Sequence, residues 1–303
     1  MRKNFEIIKK CDLCGSKKYD LFLKAPDRCF ESGNYTYVKC KKCGLIWLLY
    51  RPTGKALQRF YPENYQPYTR LHSTNKLQKL VRFIIKKNKF IAKILIADQL
   101  FFLPKGKLLD VGPGSGYILH VLTDWGWQVT GLELSNKAIK VLKKSGFKNV
   151  YQGDIFSHKF SPNSFDLVRY SLVMEHVASP RKELELVKKV LKKRGKVLII
   201  VPNIDSIFFS LFKDYWYPLE PPRHFYQFSP STLTRLLKSL NFKNIKINYT
   251  QSPHPFIWSI FYRLGLKKSD IRFGYLSWPL MFLLKFAVLL KKSDIIEVTA
   301  VKG

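Results

Sequence analysis

An aliphatic run leading straight into three glycines, Lys107-Leu-Leu-Asp-Val-Gly-Pro-Gly-Ser-Gly116, limits the possible folds more than any other stretch. The aliphatic part predicts a buried strand, the glycines a tight turn, and residues 117–125 an amphipathic helix. Strand, turn and helix in that order form the ligand-binding edge of an open α/β sheet. Gly112, Gly114 and Gly116 lack Cβ atoms, so the backbone there can turn sharply and approach a ligand closely. Asp110 stands two residues before the first glycine, where a carboxylate suits a cation or an amine and opposes a pyrophosphate. Tyr117 occupies the position at which a dinucleotide fingerprint needs its third glycine.

Downstream the pattern alternates. Strands are expected at 107–111, 128–132, 165–170, 196–201 and 244–249, and helices at 117–125, 136–145, 181–192 and 231–240. Ser229-Pro-Ser-Thr reads as a helix start, Lys193-Arg-Gly195 as a helix stop, and 294–302 as a last strand. Together these describe a parallel sheet wrapped by helices. Glu133 ends the second strand, where a carboxylate can accept both hydroxyls of a ribose. Asp154 falls where a third strand would end and can accept from an exocyclic amine, with Ile155 as an apolar wall for a ring. Three carboxylates at successive strand ends suit a ligand carrying an amine, a ribose and an adenine.

The ordered set Leu108 to Gly116, Gly131-Leu-Glu133, Gly153-Asp154, Phe165-Asp-Leu-Val, Met174-Glu-His-Val and Leu191 to Asn203 resembles a class I S-adenosylmethionine-dependent methyltransferase. The resemblance runs from about Lys107 to the C-terminus and implies a seven-stranded, doubly wound, Rossmann-like α/β sheet whose last strand, 295–302, is antiparallel. It implies that Asp110, Gly112, Gly114 and Gly116 hold the methionine part, Glu133 the ribose, and Asp154 with Ile155 the adenine. Tyr170 and Ser171 would follow the fourth strand beside the reactive methyl group. The segment after that strand lacks the Asn-Pro-Pro-aromatic motif of enzymes that methylate base amines, and is closer to members that methylate small molecules. Methyl transfer needs alignment and removal of the acceptor's proton, and His176 and His224 are the candidate bases.

Four of the five cysteines form the pairs Cys11-x-x-Cys14 and Cys40-x-x-Cys43, each followed by glycine. Four thiolates at that spacing predict a closed structural zinc site in a reducing compartment, and Cys29 falls outside the pattern. A four-cysteine module ahead of this fold also resembles sugar C-methyltransferases, whose extra C-terminal domain is missing here. The expected domains are a zinc-ribbon-like module at 1–50, a connecting segment with a basic amphipathic helix at 51–103, and a methyltransferase domain at 104–303. An apolar insertion is expected at 251–293, where 276–290 is too short to span a bilayer and suits a core or interfacial helix. The stretch from Ile207 through Tyr215-Trp-Tyr217 is expected to extend the same apolar rim.

Hydrophobic residues at 46% and aromatics at 15% exclude a disordered chain. The formal charge of +32, from 53 Lys and Arg against 21 acids, favours a polyanion, an anionic membrane surface or a phosphorylated substrate. No signal peptide is expected, since Met1-Arg-Lys-Asn-Phe-Glu lacks an apolar core behind its basic residues. The expected function is methyl transfer to a small-molecule, sugar or lipid-linked glycan acceptor, in the cytoplasm and at a membrane face. Two alternatives stay open: an RNA methyltransferase, and a non-catalytic zinc-ribbon adaptor that keeps the fold as a scaffold.

Overall fold

A computed structural model of the chain describes residues 4–61, 100, 103–266 and 284–303. The expected basic helix and the first half of the apolar run at 276–290, with Trp278, lie outside these residues. The order is β1 (Phe5–Ile7), β2 (Tyr19–Pro26), β3 (Asn34–Cys40), β4 (Ile46–Leu48), β5 (Tyr50–Pro52) and α1 (Gly54–Gln58). Then come β6 (Lys107–Val111), α2 (Tyr117–Asp124), β7 (Gln128–Glu133), α3 (Asn136–Lys144), β8 (Val150–Gln152), β9 (Phe165–Ser171) and α4 (Pro180–Val190). The rest is β10 (Leu191–Pro202), α5 (Ile207–Phe212), β11 (Tyr226–Gln227), α6 (Pro230–Ser239), β12 (Phe242–Thr250), α7 (Pro253–Arg263) and β13 (Ile295–Lys302).

Seven strands form one sheet in the order β12-β13-β10-β9-β6-β7-β8. β6 to β10 run parallel where they pair, and β13 lies antiparallel to both β10 and β12. This is the α/β methyltransferase sheet that the sequence predicts. Alternate residues of each central strand face opposite layers. Leu108, Leu167 and Leu198 pack with Leu100, Leu122 and Trp127 on one face. Leu109, Val111, Val168, Tyr170, Ile199 and Val201 enter a larger core on the other.

Helix starts follow local chemistry. Ser229 caps α6, accepting from the Thr232 amide while the Thr232 side chain returns the bond. Ser179 caps α4, with Pro180 in its first turn. One expected boundary is corrected. Residues 193–195 do not stop a helix: α4 already ends at Val190, and these residues form an irregularity inside β10, with Arg194 at φ 63°. The basic, glycine-containing run bulges the strand before its aliphatic part pairs with β9.

The N-terminal strands are not a detached module. β4 pairs with β3 on one side and with β11 on the other, so a strand from the second half of the chain completes a four-stranded sheet, β11-β4-β3-β2. Trp47, 1% exposed, and Tyr37, 0% exposed, sit in the same core as α4, α6 and the sheet. The Tyr37 hydroxyl reaches the carbonyls of Leu219 (2.8 Å) and His224 (2.9 Å). Asp12 accepts from Ser179 Oγ at 2.6 Å and the Arg181 amide at 2.8 Å, which ties the cysteine region to the start of α4. Arg51 donates to the Ala178 carbonyl.

The expected apolar rim around 207–217 is also corrected in part. Ile207 and Leu211 are exposed, but Trp216 is 1% exposed and donates to Asp294 Oδ1 at 2.7 Å. Asp294 also accepts from Ser206 and Gln251, so the indole belongs to a buried polar junction. Tyr37→Phe should remove the donor to the His224 carbonyl, while Gln227 still serves that of Leu219, and lower stability by about 1–3 kcal/mol. Guanidinium unfolding of the variant measures this; an unchanged midpoint would mean that the hydroxyl does not join the two parts of the core.

Candidate functional site

The glycine turn runs from the end of β6 into α2. Gly116 has φ +78°, and a Cβ there would lie 2.2 Å from Leu142 of α3. Only glycine meets both demands, so the loop closes on α3 without displacing it. The Gly112 amide donates to the Leu132 carbonyl at 2.8 Å, which holds the loop against the end of β7.

Asp110 and Glu133 both face this turn. Asp110 is fully buried and accepts from Arg169 Nη1 at 2.9 Å, across the β6–β9 register that sets the two residues side by side. Glu133 accepts from the Gly114 amide at 3.0 Å and the Ser135 amide at 2.8 Å. Burial nevertheless raises its pKa above the usual carboxylate range. Asp154 sits just past β8 and accepts from the Phe156 and Ser157 amides, with Ile155 buried beside it. Arg169 gave no signal in the sequence, because one charge inside Phe165-Asp-Leu-Val-Arg-Tyr does not reveal its partner on another strand.

Tyr170 is placed differently from these acids. Its side chain is fully buried, and its hydroxyl donates to Glu183 Oε1 of α4 at 3.0 Å. Burial pushes the Glu183 carboxyl up to about 7 and the Tyr170 hydroxyl well above its usual value. Leu172, just past β9, holds φ 55° and is 47% exposed.

The two histidines come together. The rings of His176 and His224 lie 4.5 Å apart, edge to face. Burial and the neighbouring His224 hold His176 down to about 3, and burial also lowers His224, so both rings are neutral at pH 7. Glu175 stands beside them, 1% exposed, and burial raises its carboxyl to about 8. Glu220 remains ionised, held down to about 2 against its burial by Arg223 (3.2 Å) and the two histidines. Arg223 also stacks over Phe30, which brings an N-terminal ring to this centre. Glu175, Glu220 and Arg223 escaped sequence analysis, since their shared burial depends on contacts between distant segments.

The four cysteines converge as well. Cys11 and Cys43 sulfurs lie 3.5 Å apart, as do those of Cys14 and Cys40, and all four fall within 4.8 Å of one another. A zinc–sulfur bond of about 2.3 Å gives a tetrahedral edge of about 3.8 Å, so this set fits a zinc ion. Each pair forms the same turn, with the Gly15 amide on the Cys11 carbonyl and the Gly44 amide on that of Cys40. Cys29 lies apart, its sulfur 3.1 Å from the Tyr262 hydroxyl.

A family model described as a methyltransferase domain matches residues 78–247, more than half of the chain. The chain belongs to this family and is a class I S-adenosylmethionine-dependent methyltransferase. It is 28% identical over 168 residues to an uncharacterized protein, MJ1123, of Methanocaldococcus jannaschii, spanning 54% of this chain and 77% of that one. It is also 28% identical over 154 residues to a ubiquinone biosynthesis O-methyltransferase of Idiomarina loihiensis, covering 47% of this chain and 63% of that protein. Among solved structures, phosphoethanolamine N-methyltransferase 2 of Haemonchus contortus shares the fold at 20% identity. Its TM-score is 0.50, with 90% of this chain and 69% of that one covered.

Two outcomes follow from this geometry. Glu133→Ala should weaken S-adenosylmethionine binding by about 10- to 100-fold, the loss of hydrogen bonds to a charged acceptor. Isothermal titration reads the change, and an unaltered affinity would remove Glu133 from the cofactor site. A zinc ion at the four cysteines predicts that Cys40→Ser binds less zinc than the unaltered chain and melts at a lower temperature; equal zinc content in the two would overturn the four-cysteine assignment.

Proposed function

We propose that this chain transfers a methyl group from S-adenosylmethionine to a small or amphipathic acceptor, such as a sugar, a metabolite or a lipid-linked glycan. Asp110, Gly112, Gly114 and Gly116 take the methionine part, Glu133 the ribose, and Asp154 with Ile155 the adenine. Tyr170 supports the cofactor side by fixing the end of β9 through Glu183. The cysteines hold a structural zinc, closed to substrate. The observation that carries the acceptor side is the neutral, buried pair His176 and His224, just beyond the end of β9. With His176 held down to about 3, the pair suits accepting a hydrogen bond from the acceptor and orienting it toward the methyl group, not holding its proton.

An exposed apolar surface supports an amphipathic acceptor and a membrane-facing enzyme. Ile207 and Leu211 on α5, Leu264 after α7, and Phe286 and Leu289 are exposed, with Lys213, Arg263, Lys285, Lys291 and Lys292 among them in sequence. The Ile207 amide donates to the Lys292 carbonyl, and Phe208 and Phe212 pack on Phe256, which joins the three segments. Apolar side chains with lysines at their edge suit an anionic lipid interface. No helix among the described residues is long and apolar enough to cross a membrane, so contact would be at the surface. The similarity to a protein named for ubiquinone biosynthesis supports the same acceptor class.

A second reading is methylation of RNA. It rests on a groove of about 490 Å³ beside the cysteine centre, lined by Lys39, Lys41, Lys42 and Arg235 among others. One experiment separates the readings. Labelled methyl groups from S-adenosylmethionine, supplied with a lysate, should enter material extracted by organic solvent or carrying glycan. Label lost only to RNase would establish the RNA reading, and no transfer despite cofactor binding would favour an adaptor.

A further inference from the structure

We infer that Glu175, His176 and His224 form a second metal centre, distinct from the four cysteines, that takes a divalent transition-metal ion and leaves a position open for the acceptor. One ligand atom from each residue lies within 4.8 Å of the other two. Glu175 is 1% exposed, and among the described residues neither of its carboxylate oxygens has a hydrogen-bond partner. A carboxylate buried in that way is costly unless a cation or a proton completes it.

The histidines are set up as ligands. His224 Nδ1 lies 2.7 Å from the Pro218 carbonyl, and His176 Nδ1 lies 3.0 Å from the Arg223 carbonyl and 3.0 Å from the Tyr61 hydroxyl. A carbonyl can only accept, so each ring carries its proton on Nδ1 and keeps the Nε2 lone pair. This is the outer arrangement that orients metal-binding imidazoles. Glu220 lies 3.4 Å from His224 Nε2 and is paired with Arg223 at 3.2 Å, so this ion pair adds no net charge beside the ion.

The frame is rigid. The Phe225 and Tyr226 amides both donate to the Glu175 carbonyl, at 2.8 and 3.2 Å. The segment carrying His224 is thus tied by its backbone to the segment carrying Glu175 and His176. Two imidazoles and one carboxylate suit zinc, manganese, iron, cobalt or nickel, and three protein ligands leave coordination positions unfilled.

The centre rests on the methyl-transfer reading for its role. An acceptor hydroxyl on the ion loses its proton to solvent more readily than a free one. Its oxygen lone pair then forms the new bond to the methyl carbon as the carbon–sulfur bond breaks. The sulfonium keeps that electron pair and leaves as a neutral thioether, so no oxidant or reductant is required.

The test measures metal and activity separately. The full chain, stripped and reloaded with Co2+, should bind two equivalents, one with thiolate charge-transfer absorption and one without. Glu175→Gln and His224→Ala should each lose the second equivalent and keep the thiolate band, which also shows that the variant is folded. A single, thiolate-bound equivalent in the unaltered chain, or two retained equivalents in both variants, overturns the inference. If the second equivalent is present and depends on Glu175 and His224 while no acceptor is methylated, the centre stands and the methyl-transfer reading falls.

Discussion

The pairing of β11 with β4 is the contact on which the rest of the molecule depends. Two residues, Tyr226 and Gln227, lock onto Trp47 and Ile46 and turn an N-terminal meander into part of the main core. Without that pairing, Tyr37 and Trp47 would present large faces to water, and the His224 carbonyl would lose the Tyr37 hydroxyl that donates to it. Burial of aromatic surface drives the contact, and the strand bonds set its register. The same pairing puts His224 two residues before the strand, next to Phe225, whose amide donates to the Glu175 carbonyl.

The consequence is a division of labour between the two faces and ends of the large sheet. At the ends of β6, β7 and β8, acids are held by bonds that orient them without neutralising all of them. Asp110 leans on Arg169, Glu133 on two amides, and Asp154 on the turn that follows it. Beyond β9, the chain enters a drier centre where neutral imidazoles and a buried carboxyl share space with an ion pair. The cysteine turns brace that centre from outside through Asp12, Ser179 and Arg181. The cysteine region and the histidine centre pack into one shared core.

Much of the fold was legible because its signals are local. Lys107–Val111, Gln128–Glu133 and Phe165–Ser171 declare themselves as short aliphatic runs closed by glycines or acids, and Ser229 announces α6 through its own cap. The convergence of Cys11, Cys14, Cys40 and Cys43 was legible for the same reason: each Cys-x-x-Cys-Gly turn aims two sulfurs at one point, and the two turns meet there. Residues whose surroundings come from elsewhere were not. Trp216 looked like a rim residue until Asp294, far along the chain, supplied its acceptor. The helix boundary at Val190 was missed because Lys192 to Arg194 carry good helix propensity, which pairing with β9 overrides.

What the residues determine by themselves is the order of strands and helices, the glycine turn, the acids placed at strand ends and the cysteine spacing. Each depends on neighbours within a few positions, where periodicity and backbone freedom act directly. Only the tertiary structure decides that Asp110 meets Arg169, that Tyr170 turns toward Glu183, and that Glu175 is buried beside two histidines. These pairings join different elements, from 13 positions apart for Tyr170 and Glu183 to 59 for Asp110 and Arg169, and their energies depend on how much water the assembled core excludes. A lone Glu-His in a sequence has no electrostatic character of its own. It acquires one when β11 closes over it.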